Sequence, residues 1–355
     1  MNISFFASSL VSAYWNGAAT YYRGLLCALH RRGHRITFFE PDAFERQRHR
    51  DIDDPPYARV VVYSAESESQ VLAAVRQANP SDLIVKASGV GVFDELLESA
   101  VLDFRSSGRR VVFWDVDAAA TLERMNRCTD DPLRRLIPEY DAVFTYGGGN
   151  GVAEAYLKLG AKRCHGIYNA LDPSTHFPVP PDARFLAALA FLGNRLPDRE
   201  ERVKEFFFKP AALLEGRSFV LGGNGWDNLN GHGNVRYLGH VYSADHNAFN
   251  STPLAVLNIC RDSMARCGFS PPTRLFEAAG AGACLITDAW DGIETFLDPE
   301  RECLVARDGT AVADLLMSLD SERARAIGRA ALARIRAEHT YDQRAAQLDR
   351  LLDTL

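Results

Sequence analysis

The chain has 355 residues, of which 47% are hydrophobic, 10% aromatic and 24% charged. This composition is typical of a folded globular protein and excludes collagen, a coiled coil or a disordered chain as the main architecture, while the length favours two domains. Forty basic and 46 acidic residues give a net charge of −6, so the charge gives no sign of a protein that binds nucleic acid or anionic membranes over its whole surface.

Short β-branched and aromatic segments alternate with amphipathic segments of helical length in the first half of the chain. Strands are predicted at 3–6, 35–40, 59–64, 82–88, 109–115 and 141–146, and helices at 19–33, 67–78, 92–106 and 151–160. Alternation of buried strands with helices predicts a parallel sheet that is covered on both faces. We therefore expect a Rossmann-like domain over residues 1–170.

The pattern changes at 171–183, which is rich in proline and polar residues and is predicted to be a linker. The alternation then resumes over 184–320, which predicts a second Rossmann-like domain. Two helical segments in 321–355 are expected to pack back towards the amino-terminal domain. The predicted fold is α/β, with two Rossmann-like, doubly wound domains that face a cleft, and the loops after the strands are expected to bind ligands there.

Two loops of the first domain are candidates for contact with a substrate. The loop after the first strand lacks the G-x-G-x-x-G pattern of nicotinamide-binding domains, which disfavours a dehydrogenase. Its candidate residues are Tyr14, Trp15, Asn16 and Gly17; the alternative is an aromatic loop packed on its neighbours. Gly148 and Gly149 in the segment TYGGGNG precede a predicted helix, where positive φ angles and free amides suit a phosphate or a sugar.

Three glycine-containing strand ends follow in the second domain. The first carries Gly193, Asn194 and Arg195 just before Pro197, and this arrangement presents backbone donors and a cation to a diphosphate. The second carries Gly223 and Asn224. The third carries His240 and Val241, where the histidine is either a base or a structural hydrogen-bonding residue.

The segment 257–288 carries the strongest signal for a ligand. Ser270 and Pro271 predict the start of a helix on which Arg274 and Glu277 share a face. A charged pair in this small, apolar stretch is costly to bury unless a polar ligand satisfies it. A glutamate can accept from both hydroxyls of a ribose diol, and Arg261 with Arg274 suits a diphosphate. The alternative is a simple ion pair within the helix.

These segments resemble the signatures of a known family. The junction YNALDP, the strand end LGHV and the segment FEAAGAGACLITD resemble GT-B glycosyltransferases, especially the spore-maturation (CgeB-like) group, and the resemblance is strongest over 165–306. It implies transfer of a sugar from a nucleotide diphosphate-sugar, most simply a UDP-sugar, without a metal. By this resemblance Glu277 holds the ribose, the backbone at Val241 reads the base, and the loop at Gly193 binds the diphosphate.

The donor-binding set that follows from the strand ends and the resemblance is Gly193, Asn194, Arg195, Gly223, Asn224, His240, Val241, Asn258, Arg261, Thr273, Arg274 and Glu277.

One departure from the family leaves the stereochemistry open. Many retaining GT-B enzymes carry a second glutamate eight positions before the ribose glutamate, and here that position is Phe269, while Cys267 matches by sequence order. An inverting enzyme needs a general base for the acceptor hydroxyl. Asp115 and Asp117 after the fifth strand are the candidate catalytic residues, although either is equally suited to capping a helix. Their D-x-D spacing also suits a metal, but a base or acceptor-binding role is preferred in this domain.

Other functions on the same fold stay open: a nucleotide-sugar epimerase, a phosphorylase, or a module that binds sugar nucleotides without catalysis. The seven cysteines include no C-x-x-C pair, and no apolar run approaches the ~18–20 residues that span a bilayer. We therefore expect a cytoplasmic protein without a cofactor, whose partners are a nucleotide-sugar donor and an unidentified acceptor. A homo-oligomer is compatible with the sequence.

Overall fold

The structure is a computed structural model that describes residues 1–14, 16–227 and 232–355. Trp15, predicted as an acceptor contact, lies outside the described residues. The chain forms two compact units. Unit 1 comprises Met1–Tyr168 and Tyr341–Leu355, and unit 2 comprises Asn169–Thr340.

Unit 1 is built on seven strands: β1 (Asn2–Phe6), β2 (Arg35–Asp42), β3 (Arg59–Ser64), β4 (Leu83–Ala87), β5 (Arg110–Asp115), β6 (Ala142–Thr145) and β7 (Cys164–Gly166). Its helices up to this point are α1 (Ala19–Arg31), α2 (Glu68–Arg76), α3 (Asp94–Ala100), α4 (Ala118–Arg127), α5 (Pro132–Leu136) and α6 (Gly149–Lys158), with 3-10 helices at Val101–Ser107 and Ile137–Glu139.

All neighbouring strands of unit 1 run parallel, in the order β3-β2-β1-β4-β5-β6-β7. Chain order reverses between β1 and β4, where Ile3 pairs with Leu83. The carboxyl ends of these two strands are therefore the topological switch point of unit 1, the place where ligands bind in open α/β sheets. Alternate side chains of β1 pack on opposite faces: the ring of Phe5 lies 5.9 Å from that of Trp114, whereas Phe6 stacks on Phe39 at 4.6 Å.

Unit 2 is built on six strands: β8 (Leu189–Leu192), β9 (Phe219–Gly222), β10 (Val235–Tyr237), β11 (Ala255–Asn258), β12 (Leu285–Asp288) and β13 (Leu304–Ala306). Its helices are α7 (Glu200–Val203), α8 (Lys209–Leu213), α9 (His246–Ser251), α10 (Asp262–Cys267), α11 (Thr273–Gly280), α12 (Gly309–Ser318) and α13 (Ser321–Glu338). A π-helical turn at Lys204–Phe208 joins α7 to α8, and 3-10 helices lie at Ala183–Phe185, Ser243–Asp245 and Ile293–Thr295.

The sheet of unit 2 is also parallel, in the order β10-β9-β8-β11-β12-β13. Leu189 and Phe191 of β8 join the larger core under one face, while Ala190 and Leu192 join a second cluster under the other face. Both sheets are thus covered on two sides, which confirms the predicted α/β architecture of two doubly wound, Rossmann-like sheets. The switch point of unit 2 lies between β8 and β11.

The two carboxyl-terminal helices belong to different units. In unit 2, α13 packs closely through Gly328, where an added Cβ would lie 2.2 Å from the carbonyl oxygen of Gly282. The last helix, α14 (Tyr341–Leu352), belongs to unit 1. It packs on α1 at Gly24, where an added Cβ would lie 2.2 Å from the ring of Tyr341. Within the segment 321–355, α13 therefore belongs to unit 2 and α14 to unit 1.

Four elements differ from the sequence prediction. The strand β7 and the helices α4 and α5 were not predicted, and the helix expected from Pro271 begins two residues later, at Thr273. Two consecutive prolines explain the delay: Pro271 precedes a proline, which disfavours helical backbone at Pro271, and Pro272 is the extended N-cap residue at φ −61°, ψ 147°. Among the described residues, no helix is long and apolar enough to cross a membrane.

Candidate functional site

The carboxyl edge of the unit 2 sheet brings together most of the residues predicted to bind a donor. Gly193, Asn194 and Arg195 directly follow β8, and Asn258 ends β11, its neighbour in the sheet. Arg261 lies three residues beyond β11. The two strand ends therefore meet at the switch point of unit 2, and the predicted diphosphate residues from both segments share this edge.

The loops after β8 and β9 form one hydrogen-bonded layer. The amide of Gly193 donates to the carbonyl of Gly222 at 3.0 Å, and the amide of Asn224 donates to Oδ1 of Asn194 at 2.9 Å. Gly223 makes this layer possible: its φ is +113°, and an added Cβ would lie 2.3 Å from the carbonyl oxygen of Gly193. The structure thus brings Gly193, Asn194, Gly223 and Asn224 together and explains the need for glycine at 223.

Arg195 is already engaged within the protein. Its Nε and Nη2 donate to the two carboxylate oxygens of Glu200 at 2.8 and 2.6 Å. The hydrogen bonds from Arg195, and after them the one from Lys204, lower the pKa of Glu200 to about 2. Arg195 therefore fixes the start of α7, and the basic character of the site comes from other side chains.

Arg199, which sequence reasoning missed, supplies that character. Its Nη1 lies against the β8 loop, 2.8 Å from where a Cβ on Gly193 would be, and its Nε is buried without a hydrogen-bond partner among the described residues. Burial first, and then the positive charges of Arg274 and Arg261, lower its pKa to about 10. Three guanidiniums therefore converge beside the β8 loop, and one of them, Arg261, also pairs with Asp198 at 2.5 Å. Arg199 and Arg274 form no ion pair among the described residues, and their charges create the electrostatic environment of an anion site.

Glu277 lies on the second turn of α11 with a half-buried side chain. The alternative of an ion pair within the helix is not formed, because among the described residues Glu277 makes neither an ion pair nor a hydrogen bond, with Arg274 or any other partner. The two charges still influence each other: burial lowers the pKa of Arg274, and Glu277 opposes that shift. A half-buried carboxylate without a protein partner is available to a ligand.

The segment after β10 adjoins Glu277. Gly239 has a φ of +67° and its carbonyl accepts from the amide of Gly223 at 2.7 Å. Val241 is buried, and its carbonyl lies 3.2 Å from Nε2 of His246, a second residue that sequence reasoning missed. Burial lowers the pKa of His246, while Glu277 acts in the opposite direction. The predicted base-reading backbone and ribose-reading carboxylate therefore flank one histidine.

Three further predicted donor residues have other surroundings. The His240 side chain is exposed and packs edge-on against Tyr242, with ring centroids 4.7 Å apart. Asn258 is buried, and its Nδ2 donates to Thr287 on β12 at 3.0 Å. One N–H of its side-chain amide therefore braces the sheet edge, while its Oδ1 is buried without a hydrogen-bond partner among the described residues. Thr273 is the first residue of α11, where its amide has no acceptor within the helix.

The position of the absent second glutamate lies in a strained turn before α11. Phe269 has a φ of +45°, and its amide donates to the carbonyl of Asp291 at 2.6 Å. Its ring fills the space above Gly292, where a Cβ would lie 2.2 Å from the ring. A non-glycine residue in this conformation costs about 1–3 kcal/mol and is typical of functional sites.

In unit 1, Asn16 is not available to an acceptor. Its Nδ2 donates to the carbonyls of Ser9 and Ser12 at 2.8 and 3.0 Å, and its Oδ1 accepts from Ser8 at 2.9 Å. The residue is buried because it ties the loop after β1 together. Tyr14 stacks on His49 at 4.1 Å and is 39% exposed.

Two groups of glycines in unit 1 stand at helix starts, as the sequence predicts. Gly17 is exposed, and an added Cβ there would meet no other atom within 4 Å. Gly148 and Gly149 have φ angles of +94° and +54° at the start of α6. Of these glycines, Gly17 leaves its backbone exposed, whereas Gly148 is buried and Gly149 is half-buried.

The two candidate acids have different environments. Asp115 is fully buried, and its carboxylate accepts from Ser88 at 2.7 Å, from Thr121 at 2.9 Å, from the amide of Asp117 at 3.0 Å and from Tyr156. A carboxylate with four donors holds the strand end in place, so the structure argues against Asp115 as a base. Asp117 is half-buried at the N-cap position of α4, but its side chain makes no capping hydrogen bond.

Among the described residues, no three side chains of His, Cys, Asp or Glu are grouped so as to hold a metal ion.

Comparisons with known proteins agree with this architecture. Residues 199–350 match the sequence model of a family described as glycosyl transferase-like, and no curated protein sequence matches the chain. The solved structure of sucrose-phosphate synthase from Thermosynechococcus elongatus superposes with a TM-score of 0.72 at 15% identity, covering 100% of this chain and 98% of that one.

Two further structures carry a uridine nucleotide in their descriptions. HepE from Anabaena, in complex with UDP and glucose, has a TM-score of 0.70 at 14% identity and covers 100% of both chains. The BGT of phage T4, in complex with its UDP-glucose substrate, has a TM-score of 0.59 at 13% identity over 99% of both chains. The chain therefore has the GT-B fold, and the family match over its second half supports a glycosyltransferase.

Proposed function

We propose that the chain is a glycosyltransferase that moves a sugar, a hexose in the first instance, from a nucleotide diphosphate-sugar to an acceptor. Unit 2 binds the donor and unit 1 carries the acceptor side. One observation carries the proposal. The carboxylate of Glu277, which has no partner among the described residues, lies near three converging guanidiniums at the switch point of unit 2. A ribose diol needs an acceptor of hydrogen bonds and a diphosphate needs cations, and this edge supplies both.

The leaving group of the reaction is a nucleoside diphosphate, whose negative charge rises as the bond to the sugar breaks. Arg199, Arg261 and Arg274 stabilise that charge, together with the backbone amides at the start of α11. Half-burial of these groups strengthens their electrostatic effect relative to water. This supports a mechanism without a metal ion.

Recognition of the nucleoside falls to the segment around Val241. We propose that its backbone reads the base, while His246 holds its carbonyl in place and Glu277 accepts from the ribose hydroxyls. A UDP-sugar is the donor we favour, since HepE and the phage T4 enzyme are described with uridine nucleotides. The motifs of the second domain support a place in the spore-maturation (CgeB-like) group.

Activation of the acceptor falls to unit 1. Asp117 is the proposed general base, since it follows β5 at the carboxyl edge of the unit 1 sheet and is half-buried, whereas Asp115 is fully buried among four hydrogen-bond donors. This assignment gives an inverting reaction, in which the base removes the proton of the attacking hydroxyl.

All seven cysteines are free thiols, which supports a reducing compartment such as the cytoplasm.

A panel of nucleoside diphosphates tests the proposal. Thermal unfolding of the full chain is measured with uridine, guanosine, thymidine and adenosine diphosphates, and then with the sugar derivatives of whichever nucleotide stabilises it. A ligand at a hundredfold excess over its Kd stabilises by about 2.7 kcal/mol, which this assay detects. We expect UDP to give the largest shift. If no nucleotide shifts the transition, the proposed donor site is wrong.

A further inference from the structure

A buried arginine that the sequence analysis did not single out lies at the switch point of unit 1. Arg46 follows β2, and its Nη1 donates to the carbonyl of Ser8 at 3.2 Å and to that of Val90 at 3.4 Å. Ser8 follows β1 and Val90 follows β4, the two strands between which chain order reverses. The guanidinium therefore spans the crevice in which open α/β sheets bind their ligands.

The charge of Arg46 has no counter-ion in contact. The residue is only 6% exposed, its Nε is buried without a hydrogen-bond partner, and it forms no ion pair among the described residues. Both carboxylate oxygens of the buried acid Glu40 are hydrogen-bonded to other residues. Its Oε1 accepts from Ser9 and Gln47, and its Oε2 accepts from the amide of Leu10. Burial lowers the pKa of Arg46, and Glu40 only opposes that shift.

The unused part of the guanidinium is the edge formed by Nε and Nη2, neither of which bonds to a described residue. This edge carries two parallel N–H groups and is the one that grips planar anions in a bidentate manner. The same chain uses it for carboxylates elsewhere. Arg195 holds Glu200 through Nε and Nη2, one on each carboxylate oxygen, and Arg184 uses the same two atoms to hold a single oxygen of Asp182, Oδ2, at 2.9 and 2.7 Å.

An aromatic side chain, Phe44, packs over the guanidinium of Arg46. The ring of Phe44 lies 4.9 Å from the guanidinium carbon, and Phe44 is 50% exposed. Phe44 and Glu45 have φ angles of 56° and 55°, which are strained for non-glycine residues. Gly91 leaves room for the ring, since an added Cβ there would lie 2.7 Å from it.

We propose that Arg46 is an anion-binding residue of the acceptor site, which reads a phosphate or carboxylate group on the acceptor through its Nε and Nη2 edge. That the bound anion belongs to an acceptor rests on the proposed transferase function. The anion site itself follows from the geometry of unit 1 alone. A neutral sugar would leave this edge of a desolvated cation without a partner, whereas an anionic group both neutralises the charge and accepts two hydrogen bonds. The acceptors we infer are therefore acidic.

The test is a titration of the full chain with inorganic phosphate and, in a second arm, with acetate. Saturating UDP occupies the basic cluster of unit 2 first, and potassium chloride at matched ionic strength serves as the blank. Binding is followed through the Nε–H resonances of the arginines in 15N NMR spectra. The variants are Arg46→Gln and Arg46→Lys. The matched control is Arg48→Gln, because Arg48 is exposed on the same loop and pairs only with Glu45 at 3.0 Å.

We expect phosphate or acetate to shift one arginine Nε–H resonance of the wild type, and that resonance to be missing in Arg46→Lys. The Arg46→Gln variant should bind the anion at least about tenfold more weakly, and Arg48→Gln should match the wild type. The tighter of the two anions identifies the acidic group.

The proposal is overturned if the Arg46 resonance does not respond to either anion, or if Arg46→Gln binds as the wild type does. Either result would make Arg46 a clamp between two loops and nothing more. If Arg46→Gln does not fold, the wild-type resonance, assigned with Arg46→Lys, still decides. Failure of UDP to bind would count against the proposed function, while the difference between the Arg46 and Arg48 variants would still report on the anion site.

Discussion

Replacement of Glu277 by alanine is the most direct perturbation of the donor site. Since Glu277 makes no hydrogen bond or ion pair among the described residues, its removal breaks no interaction on which the fold depends. A ribose diol offers the carboxylate two hydroxyl donors, and each hydrogen bond to a charged group contributes about 1.5 kcal/mol. The loss of about 3 kcal/mol weakens UDP binding by roughly 150-fold.

A thermal-shift assay translates this loss into a measurable difference. At a UDP concentration of 100 times the wild-type Kd, the ligand stabilises the wild type by about 2.7 kcal/mol, but the variant by only about 0.3 kcal/mol. For a unit of about 170 residues, 1 kcal/mol corresponds to about 2–4 °C in Tm. The UDP-induced shift should therefore fall from about 5–11 °C to about 1 °C.

A matched control separates the contact from a general change of surface charge. Glu201 is also in unit 2, is 79% exposed and pairs with Lys204 at 2.7 Å, so Glu201→Gln should leave the UDP shift unchanged. The unliganded Tm of Glu277→Ala should stay within about 2 °C of the wild type, in line with a surface-like substitution. A UDP shift in Glu277→Ala as large as that of the wild type would refute the ribose contact.

Three further substitutions test the remaining assignments. Gly223→Ala should destabilise unit 2 by about 2–4 kcal/mol and weaken UDP binding, because the new Cβ overlaps the carbonyl of the neighbouring loop; Gly233→Ala, with open space around it, should be near neutral in the same denaturation assay. Asp117→Asn should lower kcat by about 10²-fold or more with UDP affinity unchanged, whereas Asp115→Asn should lower Tm because an amide nitrogen cannot accept hydrogen bonds; equal kcat for wild type and Asp117→Asn would remove that residue from catalysis. Arg199→Gln should weaken UDP about tenfold in calorimetry but leave uridine affinity within twofold, and an equal loss for both ligands would contradict a diphosphate contact.

The fold was largely predictable because its strands are buried on both faces. Runs such as Leu83–Ala87 and Arg110–Asp115 stand out by their β-branched and aromatic residues, and the helices between the strands by their length. The elements that escaped have weak patterns. β7 has three residues, and α4 buries only Ala118, Thr121 and Met125, too small and mixed a face to give a clear period.

Only those site residues that lie in recognisable local sequence patterns, such as glycine-containing strand ends or a helix start, could be predicted. Gly193 and Glu277 each lie in a local pattern that a single sequence displays. Arg199 does not, because its role depends on Arg274, which is distant in the sequence and which the fold brings close to it. Conversely, Asn16 and Asp115 have side chains that could bind a substrate, and they lie in loops at the carboxyl edge of the sheet. Both side chains are already engaged in hydrogen bonds within the protein. Sequence position gives the chemistry of a group but not its partners.

The division of the chain also bears on synthesis. Unit 2 is one uninterrupted stretch, Asn169–Thr340, whereas unit 1 is completed by Tyr341–Leu355, which the ribosome makes after unit 2. Gly24 on α1 packs against the ring of Tyr341, so the first 168 residues leave part of α1 uncovered until that segment is made. Multidomain chains commonly fold from the amino terminus as they emerge. Here unit 2, although it starts later in the chain, has all its residues before unit 1, which is completed by α14.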